Sequence, residues 1–265
     1  MHYILLFAKS TQKVLHNFLN IIVGIIFVRR KVNFNHYNNI MGIYLIFGVI
    51  ALASYLVQAR LNSKFEKYSK EPLPNGLRGC DIAARMLAQN GLHDVKVTQV
   101  NGRLTDHYNP MDKTVNLSSE VYHGNSVAAA AVAAHECGHA VQHATAYSFL
   151  TLRSQMVPIV SFASKVMPWL LLGGIIMLQT FPQLMLAGII LFATTTVFSF
   201  VTLPVEIDAS RRALAWLNSA HVTDYRSHDH AKDALKSAAY TYVVAALGSL
   251  ATLIYYILIY SSRRE

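Results

Sequence analysis

Charge is scarce in this chain. Only 14% of its 265 residues are Asp, Glu, Lys or Arg, against about 25% in average soluble domains. Acids are the scarcer sign, with 14 Asp and Glu against 23 Lys and Arg. Cysteine is nearly absent. Cys80 and Cys137 cannot build a disulfide framework and form no C-x-x-C site. Glycine (13) and proline (7) are too few for a collagen or a Pro/Gly-rich linker protein. A hydrophobic share of 53% and a mean hydropathy of +0.32 exclude a disordered chain. The net charge of +9 would suggest nucleic acid in a soluble protein. No basic helix or aromatic platform accompanies it, so nucleic acid is excluded as a partner. In a membrane protein such an excess reflects topology and anionic headgroups.

The apolar residues come in blocks. Met41–Val57, Leu184–Leu203 and Tyr240–Tyr260 carry no charge. Each has about the length of helix that crosses a bilayer, roughly 20 residues. A fourth span is expected within Met156–Leu178, where Lys165 snorkels or marks the helix entry. Gln179–Gln183 then reads as the tip of a helical hairpin. Residues 1–40 are ambiguous. Phe18–Val28 is apolar but short, and Arg29-Arg30-Lys31 follows it where a cleavage site would stand. It is either a short extra span or lies outside the working protein, whose translation is then expected to begin at Met41.

Two polar regions remain. Gln58–Gln155 mixes signals. Leu77–Asn90 has helical periodicity ending at Asn90-Gly91, and Val95–Val100 alternates like a strand. Leu104–Tyr108 and Thr114–Leu117 flank Asn109-Pro110 as a hairpin. Ser126 caps the helical run VAAAAVAAHECGHAVQHA. The second region, Pro204–Ala239, is helical in composition, and Pro204 suits a first turn.

His135-Glu136-Cys137-Gly138-His139 is H-E-x-x-H. On a helix, positions i and i+4 share a face, so two imidazoles can bind one Zn²⁺. Glu136 can then act as general base on the metal's water. With this chain's His and Glu content, chance supplies about 0.01 such matches. Gly138 permits close approach of another element. Cys137 points off the ligand face and reads as a packed small residue. Position 145 is Thr145, which excludes the longer three-histidine motif. His143 is either a distant donor to the site or an ordinary polar helix position. The third ligand must come from elsewhere. Between Glu136 and the terminal Glu265 the only glutamate is Glu206. Two spans separate His139 from Glu206, and an even number returns the chain to the same membrane face. Asp208 either orients a motif histidine or pairs with Arg211 or Arg212. His221, His228, Asp229 and His230 read as a solvated helix start. Tyr225, Arg226, His221 and Tyr240 are candidate oxyanion stabilisers. Asp106-His107-Tyr108 either lines the cleft or ends a strand.

These residues carry a resemblance. DHYNPMDKTVNLSSEVYHGNSVAAAAVAAHECGHAVQH, a hydrophobic hairpin, LPVEIDASRRAL and ALKSAAYTYVVAAL recur in that order. From about Met41 to Tyr260 the chain resembles the YugP-like neutral zinc metallopeptidases of bacterial membranes. They are distantly similar to membrane gluzincin peptidases, which take a glutamate ligand from a later helix. The resemblance implies His135, His139 and Glu206 as ligands and Glu136 as catalytic base. The chain departs from the common gluzincin pattern in having Glu-x-Asp, not Glu-x-x-x-Asp, at Glu206 and Asp208.

The expected fold class is therefore mainly α. It is a polytopic membrane protein with about four transmembrane helices and a small α+β zincin-like catalytic part. The expected organisation is an extension over 1–40, a span over 41–57 and a zincin-like domain over 58–155. A membrane hairpin over 156–203, a second catalytic segment over 204–239 and a last span over 240–260 follow. The expected function is zinc-dependent hydrolysis of peptide bonds, in protein or peptide substrates, at or near the surface of a lipid bilayer. The strand Thr114–Leu117 would pair with extended substrate. The rivals are a non-catalytic zinc scaffold and a site-2-type intramembrane protease. Arg60, Lys64, Lys67 and Lys70 follow the first span and put the zinc face of this multi-pass protein in the cytoplasm, although Arg263 and Arg264 pull the other way.

Overall fold

A computed structural model describes residues 34–262, with side chains from 45 onward except 46. Phe18–Val28 and most of the expected N-terminal extension lie outside these residues. The elements run α1 (Phe34–Ser69), α2 (Gly79–Gln89), β1 (Lys96–Val100), β2 (His107–Asn109), β3 (Thr114–Ser118) and α3 (Ser119–Tyr122). Then follow α4 (Val127–Ala144), α5 (Ser148–Ile176), α6 (Gln183–Ser219) and α7 (Tyr225–Ser261).

Among the described residues three helices, not the four expected, are long and apolar enough to cross a membrane: α5, α6 and α7. The expected first span lies in α1. The first residues of that expected span, 41–44, fall outside those whose side chains are described. The hairpin of α5 and α6 is closely packed because small residues stand at the contact. A Cβ on Gly174 would lie 2.5 Å from the Met185 Cα, and one on Gly188 would lie 2.8 Å from Leu171. Leu171, Met185, Ile189 and Tyr256 form the apolar centre of this helical part. Trp169, Phe162, Ile190 and Leu258 face outward, each more than half exposed. An outward apolar surface of this kind suits lipid rather than water.

A second core lies around α4. Ser126 Oγ accepts from the Ala129 N–H at 3.2 Å and starts that helix. Its alanines from Ala128 to Ala140 are buried, so their small side chains let neighbouring elements close in. Ile82 and Met86 of α2, Val115 and Leu117 of β3, Leu217 of α6 and Leu235 of α7 complete the cluster. Each such large side chain contributes about 1.5–3 kcal/mol on burial. The sheet has the order β1-β3-β2. β1 pairs with β3 in parallel, and β2 pairs with β3 antiparallel with Tyr108 opposite Val115. β3 is thus the central strand, and β1 and β2 are the edge strands.

Pro204 stands inside α6 rather than in a first turn. The helix runs unbroken from the apolar hairpin through Glu206 to Ser219. Likewise α7 starts at Asp224, whose carboxylate accepts from the Ser227 N–H at 2.7 Å, and continues to Ser261. Two helices therefore carry the apolar part and the polar part as single rigid rods.

Candidate metal centre

The centre forms where α4 crosses α6. The crossing is close because Gly138 faces α6. A Cβ there would stand 2.6 Å from the Ala209 carbonyl oxygen. One turn earlier on α6, Glu206 reaches the two motif histidines. His135 Nε2 lies 3.3 Å and His139 Nε2 3.6 Å from Glu206 Oε2. All three side chains are buried, and their ligand atoms lie within 4.8 Å of one another. Two ligands bonded at 2.0–2.1 Å to one tetrahedral ion stand about 3.3–3.5 Å apart. The spacing fits a single metal ion.

The hydrogen bonds support the same reading. His139 Nδ1 lies 3.0 Å from Gln142 Oε1. The Gln142 amide nitrogen donates to the Val205 carbonyl at 2.8 Å and to Asp208 Oδ2 at 2.9 Å. Both partners only accept, so the amide has one orientation and its oxygen faces His139. That oxygen can only accept, so His139 Nδ1 carries the proton. In the neutral ring the lone pair is then on Nε2, the atom facing Glu206. His135 is held by Ser210 Oγ, 3.1 Å from its Nδ1. Among the described residues three buried side-chain atoms have no hydrogen-bond partner: His139 Nε2, Glu206 Oε1 and Glu136 Oε1. Buried polar atoms are rarely left so. Their gathering at one point is what a cation and its water would satisfy.

Glu136 is fully buried. The Tyr108 N–H of β2 donates to its Oε2 at 3.0 Å. β2 is anchored by Asp106, whose Oδ1 accepts from the Ser118 N–H at 2.7 Å and whose Oδ2 accepts from Ser118 Oγ at 3.1 Å. Burial pushes the Asp106 carboxyl up; the Ser118 hydrogen bonds oppose this, the Glu136 charge adds to it, and the result is about 6. Burial also raises Glu206, but His139, His135 and Arg153 outweigh it and hold that carboxyl well below the usual range. Arg153 Nη1 of α5 lies 3.5 Å from Glu206 Oε1.

The chain matches the family model described as "Putative neutral zinc metallopeptidase" over residues 43–261. The chain belongs to this zinc metallopeptidase family. It is also 44% identical over 212 residues to "Putative membrane protease YugP" of Bacillus subtilis (strain 168), covering 80% of this chain and 93% of that protein. No solved structure matches it. Zinc is the metal that the family's description names, and two imidazoles with a carboxylate are a donor set that suits zinc. The zinc metallopeptidase family is one of proteases, and the related protein is named a membrane protease.

Other residues that the sequence singled out fall elsewhere. Cys137 is buried and its thiol donates to the Ala83 carbonyl at 3.6 Å. His143 contacts Tyr108, with its Nδ1 2.9 Å from the phenol oxygen. Asp208 reaches neither histidine; it holds Gln142 and pairs with both Arg211 and Arg212. His230 contacts Glu71 at 2.7 Å and His228 contacts Thr223 at 3.2 Å. The four candidate oxyanion stabilisers are not at the centre. Tyr225 is 89% exposed, Tyr240 and His221 are exposed, and Arg226 leans on Glu71. Their polar chemistry suited the task, but none of them is among the residues at the centre. Tyr242, two residues after Tyr240 on α7, lines a small cavity with His135, Glu206 and Ser210 instead. Sequence reasoning missed Gln142, Ser210, Arg153 and Tyr242. Only Gln142 left a signal, three residues after His139 on one helix face.

Proposed function

We propose that this protein hydrolyses peptide bonds at a gluzincin-type zinc centre, beside a membrane that it crosses several times. His135, His139 and Glu206 hold the ion, and Glu136 is the general base. The observation that carries this is the free Glu136 Oε1 beside the three ligands. A structural zinc site needs no adjacent base, which favours a catalyst over a scaffold.

Zinc in such a site lowers the pKa of a water and polarises the scissile carbonyl. Glu136 takes the water's proton on Oε1 while Tyr108 N–H fixes Oε2. Glu136 then delivers that proton to the leaving amine nitrogen. Gln142 and Ser210 hold the imidazoles so that their Nε2 atoms converge. β3 was the strand expected to pair with substrate, but it is occupied on both sides. The outer edge of β2 is the alternative, because the Tyr108 N–H bond to Glu136 Oε2 sets that edge beside the base. An extended substrate lies along β2 in this proposal.

The site lies at the membrane surface rather than within the bilayer. From Gln183 to Glu206, α6 rises about 34 Å, slightly more than the roughly 30 Å hydrocarbon core. Arg60, Lys64, Lys67 and Lys70 favour a cytoplasmic face for the centre. Hydrolysis of peptides by the purified full chain and by Glu136→Ala tests the function. The variant retains zinc and loses hydrolysis. A variant that cleaves as fast as the parent removes Glu136 from the mechanism.

A further inference from the structure

Tyr108 of β2 meets α4 at two points. Its N–H donates to Glu136 Oε2 at 3.0 Å, and its phenol oxygen stands 2.9 Å from His143 Nδ1. The two rings also meet, with centroids 5.8 Å apart. Glu136 and His143 are two helical turns apart in the sequence. Their side chains therefore leave α4 on one face, separated by about 10 Å along its axis. The backbone and the ring of Tyr108 bridge that gap. β2 needs such a tether. It has three residues and one neighbouring strand, β3. Leu104, just before it, takes a left-handed backbone with φ of 58°, a region that a β-carbon disfavours. Short edge segments with few contacts open easily. Asp106 ties β2 to β3 through Ser118. The bond to His143 ties the Tyr108 side chain to α4, the helix that carries the base. Whatever holds Tyr108 in place also holds the donor on Glu136.

We propose that His143 is a positioning residue for the general base. It holds Tyr108 against α4, so that the Tyr108 N–H stays on Glu136 Oε2 and Oε1 is left to take the proton of the water. This rests on the peptidase reading above. His143 acts through Tyr108 and exchanges no proton with the substrate in this role.

The test compares His143→Phe, His143→Gln and Tyr108→Phe with the parent, as full chains in detergent. Phe at 143 keeps a ring beside Tyr108 and loses the hydrogen bond, whereas Gln keeps a polar partner. His143→Phe and Tyr108→Phe each lower kcat about 3–10-fold, the worth of one ordinary hydrogen bond. KM stays the same, and so does zinc affinity measured by chelator competition. The double variant is no slower than either single one, and His143→Gln recovers most of the loss. In a Glu136→Gln background, His143→Phe leaves the residual rate unchanged, because the base that it positions is gone. An equal fall in both backgrounds would overturn the proposal and leave His143 a purely structural part. Amide hydrogen exchange of the metal-free chain gives a readout without turnover. Exchange at the Tyr108 N–H rises about 3–10-fold in His143→Phe and returns toward the parent in His143→Gln. If the parent hydrolyses no peptide, the peptidase reading fails. Exchange still decides the tether: an unchanged Tyr108 rate in His143→Phe overturns the role of His143.

Discussion

Gly138→Ala is the sharpest probe of how the centre is assembled. The added Cβ would sit 2.6 Å from the Ala209 oxygen and 3.1 Å from its C and Cα atoms. All three are backbone atoms of α6 and cannot swing aside. An ordinary contact begins near 3.4 Å, so α4 and α6 must part by about 0.8 Å at this crossing. Glu206 lies one turn from Ala209 on the same rigid helix. The two gaps of 3.3 and 3.6 Å from Glu206 to the histidines therefore widen by a similar amount. Zinc sites tolerate errors of only about 0.2 Å in their bonds. Overpacking of this kind costs about 1–3 kcal/mol, and we expect zinc affinity to fall by about 10–100-fold, as for loss of a supporting contact. Competition with a chromogenic chelator measures the affinity, and thermal unfolding without metal measures the packing cost. A Gly138→Ala protein that melts and binds zinc like the parent would refute the argument.

Two further outcomes follow from the hydrogen bonds. Gln142→Leu removes the acceptor that fixes His139 Nδ1 and leaves Asp208 with its two arginines; zinc affinity should drop about 10–100-fold by the same chelator assay, while Asp208→Asn drops it less because Val205 still holds the amide. Asp106 gives a pH effect. Its folded pKa of about 6 lies above the ordinary 3.8, so the folded state binds the extra proton between those values. Stability of the metal-free chain thus falls as pH rises through that window, by about 3 kcal/mol on this group's account. Asp106→Asn keeps an acceptor for the Ser118 N–H and removes that part of the slope, which melting curves from pH 4 to 7 would reveal. An unchanged slope would count against the burial of a charge there.

What was legible in the sequence was local or forced by scarcity. His135, Glu136 and His139 lie within a single turn, so helical geometry alone relates them. Glu206 stood out because so few acids exist downstream and because chain topology allowed it. The strands were visible through alternation and the Asn109-Pro110 turn, although their order was not. Order depends on which edges α3 and α4 cover, and so Thr114–Leu117 was taken for a free strand. Gln142 matters only because α6 brings Val205 and Asp208 to it. Arg153 and Tyr242 looked like ordinary residues near membrane helices, since nothing local marks a side chain that meets a site from another element. Pro204 suggested a helix start, but the apolar contacts on both sides of it carry α6 straight through.

The central claim is that one zinc ion is held by His135, His139 and Glu206. X-ray absorption at the zinc edge of the purified full chain tests it most directly. The account predicts one zinc per chain, with two imidazole nitrogens at about 2.0–2.1 Å and oxygen for the remaining ligands, and loss of that signal in Glu206→Ala. A sulfur ligand, or an unaltered spectrum in Glu206→Ala, would contradict it.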